Sequence, residues 1–232
     1  METMFERSEL LMGKEAGQTL RNKRVLIVGV GGVGSFCTEA LVRSGIGHLI
    51  LVDFDDIRPS NLNRQLMATT KTIGRKKVDV LKKRMLDINP DCHIETHDVP
   101  YRKEMNDTLF GQRVDYCLDA IDSIAAKKEL IQACLDNEVP FLSSMGMARR
   151  NDPAKLVVTE LEKTSYDPLA KILRQWKRKE RIRKKIRVVA STEAPMNQPE
   201  GQPLPSMIFV PGSAGLLMAS VCLQDLIQEE KL

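Results

Sequence analysis

The chain has 232 residues and five cysteines, Cys37, Cys92, Cys117, Cys134 and Cys222, but no CxxC pair. That excludes a structural zinc site made from two such pairs. The cysteines lie in apolar runs, where a thiol acts as a small hydrophobe, so none stands out as a thioester-forming nucleophile. The three histidines, His48, His93 and His97, make no metal-ligand spacing. No unbroken apolar run is long enough to span a bilayer, and the N-terminal METMFERSELLMGKE is too charged for a signal peptide. A cytoplasmic protein is the expectation. There is a single tryptophan, Trp176, and no internal repeat. A hydrophobic content of 42% is enough for an ordinary core.

What the chain does have begins at residues 24 to 36, RVLIVGVGGVGSF. A β-branched apolar run, Arg24 to Val30, leads into Gly29-x-Gly31-x-x-Gly34, with Gly32 inside the loop, and Ser35 to Ser44 reads as a helix. Strand, glycine loop and helix in that order form a phosphate cradle, because the backbone can approach closely and the first helical N–H groups face the anion. A second apolar run, His48 to Val52, delivers Asp53 about twenty residues after the loop, where a carboxylate bonds ribose hydroxyls. A nucleotide with a free ribose diol is expected.

Asp55, Asn61, Asn63, Arg64 and Gln65 follow in quick succession. A nicotinamide site has little use for a cation there, whereas expulsion of pyrophosphate requires charge neutralisation on a triphosphate. Arg64 offers a fork of donors, and Lys77, opening a helix read over Lys76 to Ile88, offers a point charge. Lys76 is the rival for that second role. The run VDYCLDAIDS places Asp119 and Asp122 at the carboxyl end of a strand, the edge of an α/β sheet where ligands bind. A carboxylate there suits magnesium. Asp122 also fits a helix N-cap before SIAAKKEL.

These residues resemble the ubiquitin-activating-enzyme-like ATP-dependent adenylyltransferases, the superfamily of ThiF and MoeB, over roughly residues 4 to 160. The resemblance implies Gly29 to Gly34 and Asp53 on the nucleotide, and Asp55, Asn63, Arg64 and Lys77 near the phosphates. It gives Asp122 to the metal side. Arg7 also matches, and the resemblance implies that it reaches the ATP of a partner subunit in a homodimer. A monovalent cation is a further implication.

Charge is lopsided. Net charge is +4, yet residues 171 to 187, KILRQWKRKERIRKKIR, hold ten Lys or Arg against one Glu, a local +9 that leaves 25 basic and 30 acidic residues elsewhere. Such a block suits a phosphate backbone, with Trp176 as a stacking platform. The competing reading is a solvated amphipathic helix with Ile172, Leu173 and Trp176 turned inward. A membrane surface is disfavoured, because the apolar face is small. The neighbouring residues Lys163, Thr164, Asp167, Pro168, Leu169 and Ala170, with Ser191, Thr192 and Glu193, resemble the tRNA threonylcarbamoyladenosine dehydratase branch. Some members carry a cysteine just before the later strand, whereas this chain has Ile186 and Arg187.

The expected fold class is α/β, a Rossmann-like doubly wound and mostly parallel sheet, with strands near 24 to 30, 48 to 53, 92 to 97, 114 to 119 and 139 to 144. Residues 1 to 160 read as an ATP-binding adenylation domain, and 161 to 232 as an extension with a basic tRNA-binding helix. Further expectations are a helix over Ser8 to Leu20, strands over Lys155 to Glu160 and Met207 to Pro211, a mobile loop over 191 to 207, and a closing helix over 212 to 229.

The branch resemblance implies adenylation of a carboxylate on the modified adenosine beside the anticodon, followed by ring closure with net loss of water. ATP, Mg2+ and tRNA are the implied ligands, and a sulfur-transfer protein is an optional partner. One alternative is adenylation of a ubiquitin-like sulfur carrier. The other is an NAD-dependent reductase or a nucleotide-sensing scaffold.

Overall fold

A computed structural model describes residues 3–197 and 201–228. Two short helices, α1 (Glu6–Met12) and α2 (Lys14–Arg21), precede the sheet. Strands β1 (Arg24–Val28), β2 (His48–Val52), β3 (His93–His97), β4 (Tyr116–Asp119) and β5 (Phe141–Ser144) then alternate with helices α3 (Gly34–Arg43), α4 (Lys77–Ile88), α5 (Asn106–Phe110) and α6 (Ile124–Asp136). The chain finishes with β6 (Leu156–Glu160), α7 (Pro168–Lys179), β7 (Arg187–Ser191) and α8 (Phe209–Gln228).

All seven strands form one sheet in the order β3-β2-β1-β4-β5-β7-β6. Every neighbouring pair is parallel except β6 with β7. The expected doubly wound architecture is therefore present. Leu26, Ile27, Leu49, Ile50, Leu51 and Leu118 are fully enclosed because helices cover both faces, which is why these strands read as continuous apolar runs rather than alternating ones. Strand order reverses between β1 and β4, so their carboxyl ends open the crevice in which this fold class binds ligands.

Several elements differ from expectation. The N-terminal helix breaks at Gly13, whose φ of 91° is in the left-handed region that favours glycine, so α1 and α2 meet at a corner. The expected strand at 207 to 211 does not form: Met207 and Ile208 precede α8 without regular structure, and Phe209 to Pro211 are its first residues. Pro211 lies in its first turn, where a missing N–H costs no intrahelical bond, and Gly212 N–H already closes on Ile208 O at 2.8 Å. The ring of Trp176 packs, partly buried, against Ile131, Leu173 and their neighbours, so it is not an exposed stacking platform. The spacing from Ile172 and Leu173 puts it on the inward face of α7, as the amphipathic reading had it.

The 191 to 207 segment has no regular structure in its described part beyond Ser191, but it is tied down. Arg149 N–H donates to Pro205 O at 2.8 Å, and its Nε donates to Met196 O at 2.6 Å. Met196 N–H returns to Arg149 O at 2.8 Å. Residues 198 to 200 of that expected loop, and residue 229 of the expected closing helix, lie outside the described residues.

Helix α8 is long and apolar enough to cross a membrane by length and composition alone. Here Ala214, Met218, Cys222 and Leu226 are completely buried in the main core beside Cys37 and Leu41 of α3. The close approach requires Gly215. A Cβ there would lie 2.3 Å from Val33 O and 2.9 Å from Cys37 N, both backbone atoms that cannot swing aside. Gly215→Ala should therefore lower unfolding free energy by about 1–3 kcal/mol, measured by urea titration. Gly74→Ala, in open space but at φ +81°, should cost about 1 kcal/mol, from backbone strain alone.

Candidate functional site

The glycine loop separates into two pairs with different reasons for being glycine. Gly29 has φ 88°, and a Cβ on it would lie 2.6 Å from Ala120 O; a Cβ on Gly34 would lie 1.8 Å from Gly29 O. Those two are demanded by the turn itself. Gly31 and Gly32 have ordinary room, with nearest atoms at 3.6 and 3.4 Å, so their missing side chains keep the space over the loop open. This open floor, at the N-terminus of α3, fits a nucleotide pyrophosphate.

Asp53 fixes that loop from the side. Its Oδ2 accepts the Val30 N–H at 2.8 Å and its Oδ1 accepts the Asp55 N–H at 2.9 Å. Burial raises the Asp53 pKa above its ordinary value, against the opposing pull of Lys77 and of the Asp55 and Val30 N–H groups. Asp55 in turn holds Lys77, with Nζ to Oδ2 at 2.6 Å, and the lysine is only 4% exposed. Lys76, the rival, points outward to Asp56 and Asp98 at 3.0 and 3.2 Å. Geometry therefore separates the two lysines: Lys77 joins the cluster and Lys76 does not.

Arg64 leans on the loop, since a Cβ on Gly32 would lie 3.6 Å from its Cγ, and its Nη1 donates to Ser60 O at 2.7 Å and Asn63 Oδ1 at 3.0 Å. Those bonds orient the guanidinium. Asn63 Nδ2 donates to Ser206 O at 2.8 Å, joining the cluster to the segment before α8. Asn61 has a purely local task, accepting the Arg58 N–H on its Oδ1 at 2.9 Å in a buried turn. Gln65 is buried against Gly31.

The two aspartates after β4 part company. Asp119 is enclosed, paired with Lys127 Nζ at 2.7 Å and accepting from Ser143 Oγ at 2.5 Å. It is committed to linking β4, α6 and β5. Asp122 is exposed at the mouth of the crevice, and Ser123, not Asp122, occupies the α6 N-cap. Among the described residues no group of three His, Cys, Asp or Glu could hold a metal by itself.

Arg7 is exposed on α1, and the structure does not bring it to this loop. Its neighbour Phe5 packs near Gly45, just past the far end of α3, about 15 Å from the helix start. The cysteines are buried. Desolvation pushes Cys37 far above the usual thiol range and Cys92 up to about 11, and it raises Cys117 as well, so these thiols stay protonated at neutral pH.

Sequence reasoning missed Lys127 and Arg150. Lys127, next to Lys128 on a helix, reads as solvated charge and only the fold buries it. Arg150 is 5% exposed and gathers the two segments that carried the branch resemblance. Its Nη2 donates to Tyr166 O at 3.0 Å, its Nε to Glu193 O at 3.2 Å, and its Nη1 lies 3.5 Å from Asp167 and bonds Gly146 O. Asp167 caps α7 through Ala170 N–H at 2.9 Å and also accepts Gly146 N–H at 3.0 Å. Glu193 accepts from Asn151 and Asp152 N–H groups at 3.1 and 3.0 Å. Outward from this knot, Lys171, Arg178, Lys179, Arg181, Arg183, Lys184 and Lys185 are exposed. An open depression of about 340 Å³ lies among Glu162, Lys177, Arg178, Arg181, Ile182 and Arg183.

Fold and site together define an α/β protein of the nucleotide-binding kind, with Arg64 and the Lys77–Asp55 pair beside the glycine-loop unit. The ThiF family pattern matches residues 5–230, and the chain belongs to that family. It is 41% identical over 241 residues to the tRNA threonylcarbamoyladenosine dehydratase of Bacillus subtilis (strain 168), covering 97% of this chain and 95% of that one. The crystal structure of the Escherichia coli tRNA N6-threonylcarbamoyladenosine dehydratase in complex with ATP superposes with a TM-score of 0.93 at 32% identity, covering 98% of this chain and 95% of the other. The ubiquitin-like modifier-activating enzyme 5 of Drosophila virilis is 37% identical over 138 residues, or 55% of this chain and 34% of its own length.

The raised Asp53 pKa sets a pH dependence. As pH falls, Asp53 takes up its proton at a higher pH than an exposed carboxylate does, and the protonated group no longer serves as a full acceptor for a ribose hydroxyl. Nucleotide affinity, followed by calorimetric titration across pH, should begin to fall at a higher pH than the one at which an exposed aspartate takes up its proton. Asp53→Asn should bind more weakly and lose that step.

Proposed function

We propose that this chain is an ATP-dependent tRNA threonylcarbamoyladenosine dehydratase, closing the threonylcarbamoyl group beside the anticodon into a ring with net loss of water. The observation that carries the reading is a chain of contacts: Asn63, beside Arg64, bonds Ser206 O, Arg149 N–H bonds the adjacent Pro205 O, and Arg150 next to it holds Asp167, the N-cap of the exposed basic helix. Near full-length similarity to dehydratases supports it. An enzyme acting on a sulfur-carrier protein has no evident use for that arm, and the similarity to the ubiquitin-like activating enzyme spans only 55% of the chain.

In this reading the substrate carboxylate attacks the α-phosphorus of ATP, pyrophosphate leaves, and an acyl-adenylate forms. The neighbouring carbamoyl group then closes onto the activated carbonyl, giving up one proton as the ring bond forms and AMP departs, so that the net loss is one water. Asp53 holds the ribose, Gly29, Gly31, Gly32 and Gly34 frame the phosphates, and Asp55 and Asn63 keep Lys77 and Arg64 aimed at the charge that builds on the leaving group. Magnesium would neutralise phosphate charge on the Asp122 side. Ring closure needs no enzyme nucleophile, in keeping with thiols held protonated by burial.

Residues 1 to 160 carry the nucleotide chemistry and 161 to 232 supply the tRNA arm, in the cytoplasm. A homodimer, in which Arg7 completes the partner's ATP site, accounts for an arginine so far from its own glycine loop. It would also cover exposed Leu10 and Leu11 on α1. A monovalent cation and a sulfur-transfer partner remain assignments from family resemblance.

Arg64→Ala and Lys77→Ala should each abolish pyrophosphate release while leaving the far-UV circular dichroism unchanged; normal turnover in both would remove the assignment. Replacing Arg178, Arg181 and Arg183 together with Gln should weaken tRNA binding and flatten its logarithmic salt dependence by about 2–3. An unchanged slope, read by filter binding, would remove the arm from the tRNA interface.

A further inference from the structure

Trp176 is turned inward, and the aromatic ring that the basic arm does expose is Tyr166. It is the most exposed aromatic side chain among the described residues, at 64%, whereas Tyr101 and Tyr116 are enclosed. Among the described residues its hydroxyl makes no hydrogen bond and its ring no aromatic contact. Its φ of 54° is in the left-handed region, which a bulky side chain rarely adopts. Glycine or asparagine would sit there with less strain, so the backbone alone does not call for a tyrosine.

The Arg150 knot holds that backbone in place. Tyr166 O accepts from Arg150 Nη2 at 3.0 Å, and the next residue, Asp167, is buried and caps α7. A residue directly before an N-cap commonly packs an apolar side chain onto the fourth helical position. Here that position is Lys171, so no apolar staple forms and both side chains are left to solvent.

Topology sets where the ring stands. Asp167 accepts Gly146 N–H at 3.0 Å, two residues past the carboxyl end of β5, on the sheet edge that also carries the glycine loop and Asp122. That is two strand positions from β1, roughly 10 Å. Helix α7 then leads away for 12 residues, about 18 Å. Strand β7 runs parallel to β5 and begins at Arg187, so residues 181 to 185 lie toward the opposite, amino edge of the sheet. The arm therefore has a near end beside the crevice, with Tyr166 and Lys171, and a far end with Arg178, Arg181 and Arg183.

We propose that Tyr166 is a stacking platform for an anticodon-loop base adjacent to the modified adenosine, while the far cations hold the backbone of the same tRNA. The inference rests on the dehydratase reading and deepens it, by giving the direction of the tRNA along the arm. Bases of a single-stranded loop have free faces, and a ring whose backbone is already fixed loses little freedom when one stacks on it.

The experiment measures binding of the full chain to an RNA anticodon hairpin carrying threonylcarbamoyladenosine, and to the same hairpin with either flanking nucleotide made abasic. Tyr166→Asn removes the ring at a φ that asparagine tolerates, so unliganded thermal stability should equal or exceed that of the natural chain. Its Kd for the intact hairpin should rise about 5- to 100-fold, with an unchanged logarithmic salt dependence, because no phosphate contact is lost. Tyr166→Phe keeps the stacking face and should bind within about twofold of the natural chain. One abasic hairpin should bind the natural chain more weakly by a similar factor, yet bind Tyr166→Asn no worse than the intact hairpin does. Natural affinity in Tyr166→Asn, in a protein whose natural form cyclises the modified tRNA, overturns the inference and leaves the dehydratase reading standing. Abasic penalties that are the same with and without the ring also overturn it. So does a lower oligomeric mass of Tyr166→Asn with unchanged RNA affinity, which would place the ring against a second copy of the chain. If the natural chain binds neither hairpin nor tRNA, both the dehydratase reading and this inference fail.

Discussion

The site depends on one carboxylate. Asp53 accepts the Val30 and Asp55 N–H groups on its two oxygens, so the end of β2 holds both the glycine loop after β1 and the residue that orients Lys77. Hydrogen bonds to a buried carboxylate are strong, and burial on its own opposes the charge they stabilise. Position therefore comes from the sheet. Parallel pairing of β1 with β2 sets Val28 opposite Val52, and the carboxylate follows one residue later. Asp53, the floor of the glycine loop and the Lys77–Asp55 pair are held in one frame by the fold itself.

A second frame holds the basic helix. The sheet continues past β5 through β7 to β6, and the turn after β5 carries Arg150 into the knot with Asp167 and Glu193. Asp167 begins the basic helix, so its direction is set by a buried guanidinium. Removing one partner of such a buried pair typically costs about 3–5 kcal/mol. The surface charges beyond it are salt-screened and individually weak; in the proposed reading they act together on a polyanion.

Much of this was legible in the chain. The β1-loop-α3 unit and Asp53 are local patterns with local causes, and steric demand at Gly29 and Gly34 explains why the loop is readable. Arg64 and Lys77 were readable by resemblance, whereas the residue pattern alone left Lys76 as a rival, because adjacent lysines differ only in which aspartate each meets. Asp119, Lys127 and Arg150 were opaque for the same reason, since their partners lie on other elements. The helical start of α8 was misread as strand because Met207 to Pro211 is apolar and short, a pattern that fits either state. The break at Gly13 had no steric signal, with nothing near its missing side chain.

The central claim is that one frame activates a carboxylate on a modified tRNA. Its most direct test is pyrophosphate release from ATP and magnesium by the purified chain, with threonylcarbamoyladenosine-containing tRNA, with the same tRNA lacking the modification, and with no tRNA. The account predicts release only in the first case, accompanied by loss of one water from the nucleoside mass. Release that is independent of the modification, or none with any tRNA, would contradict it.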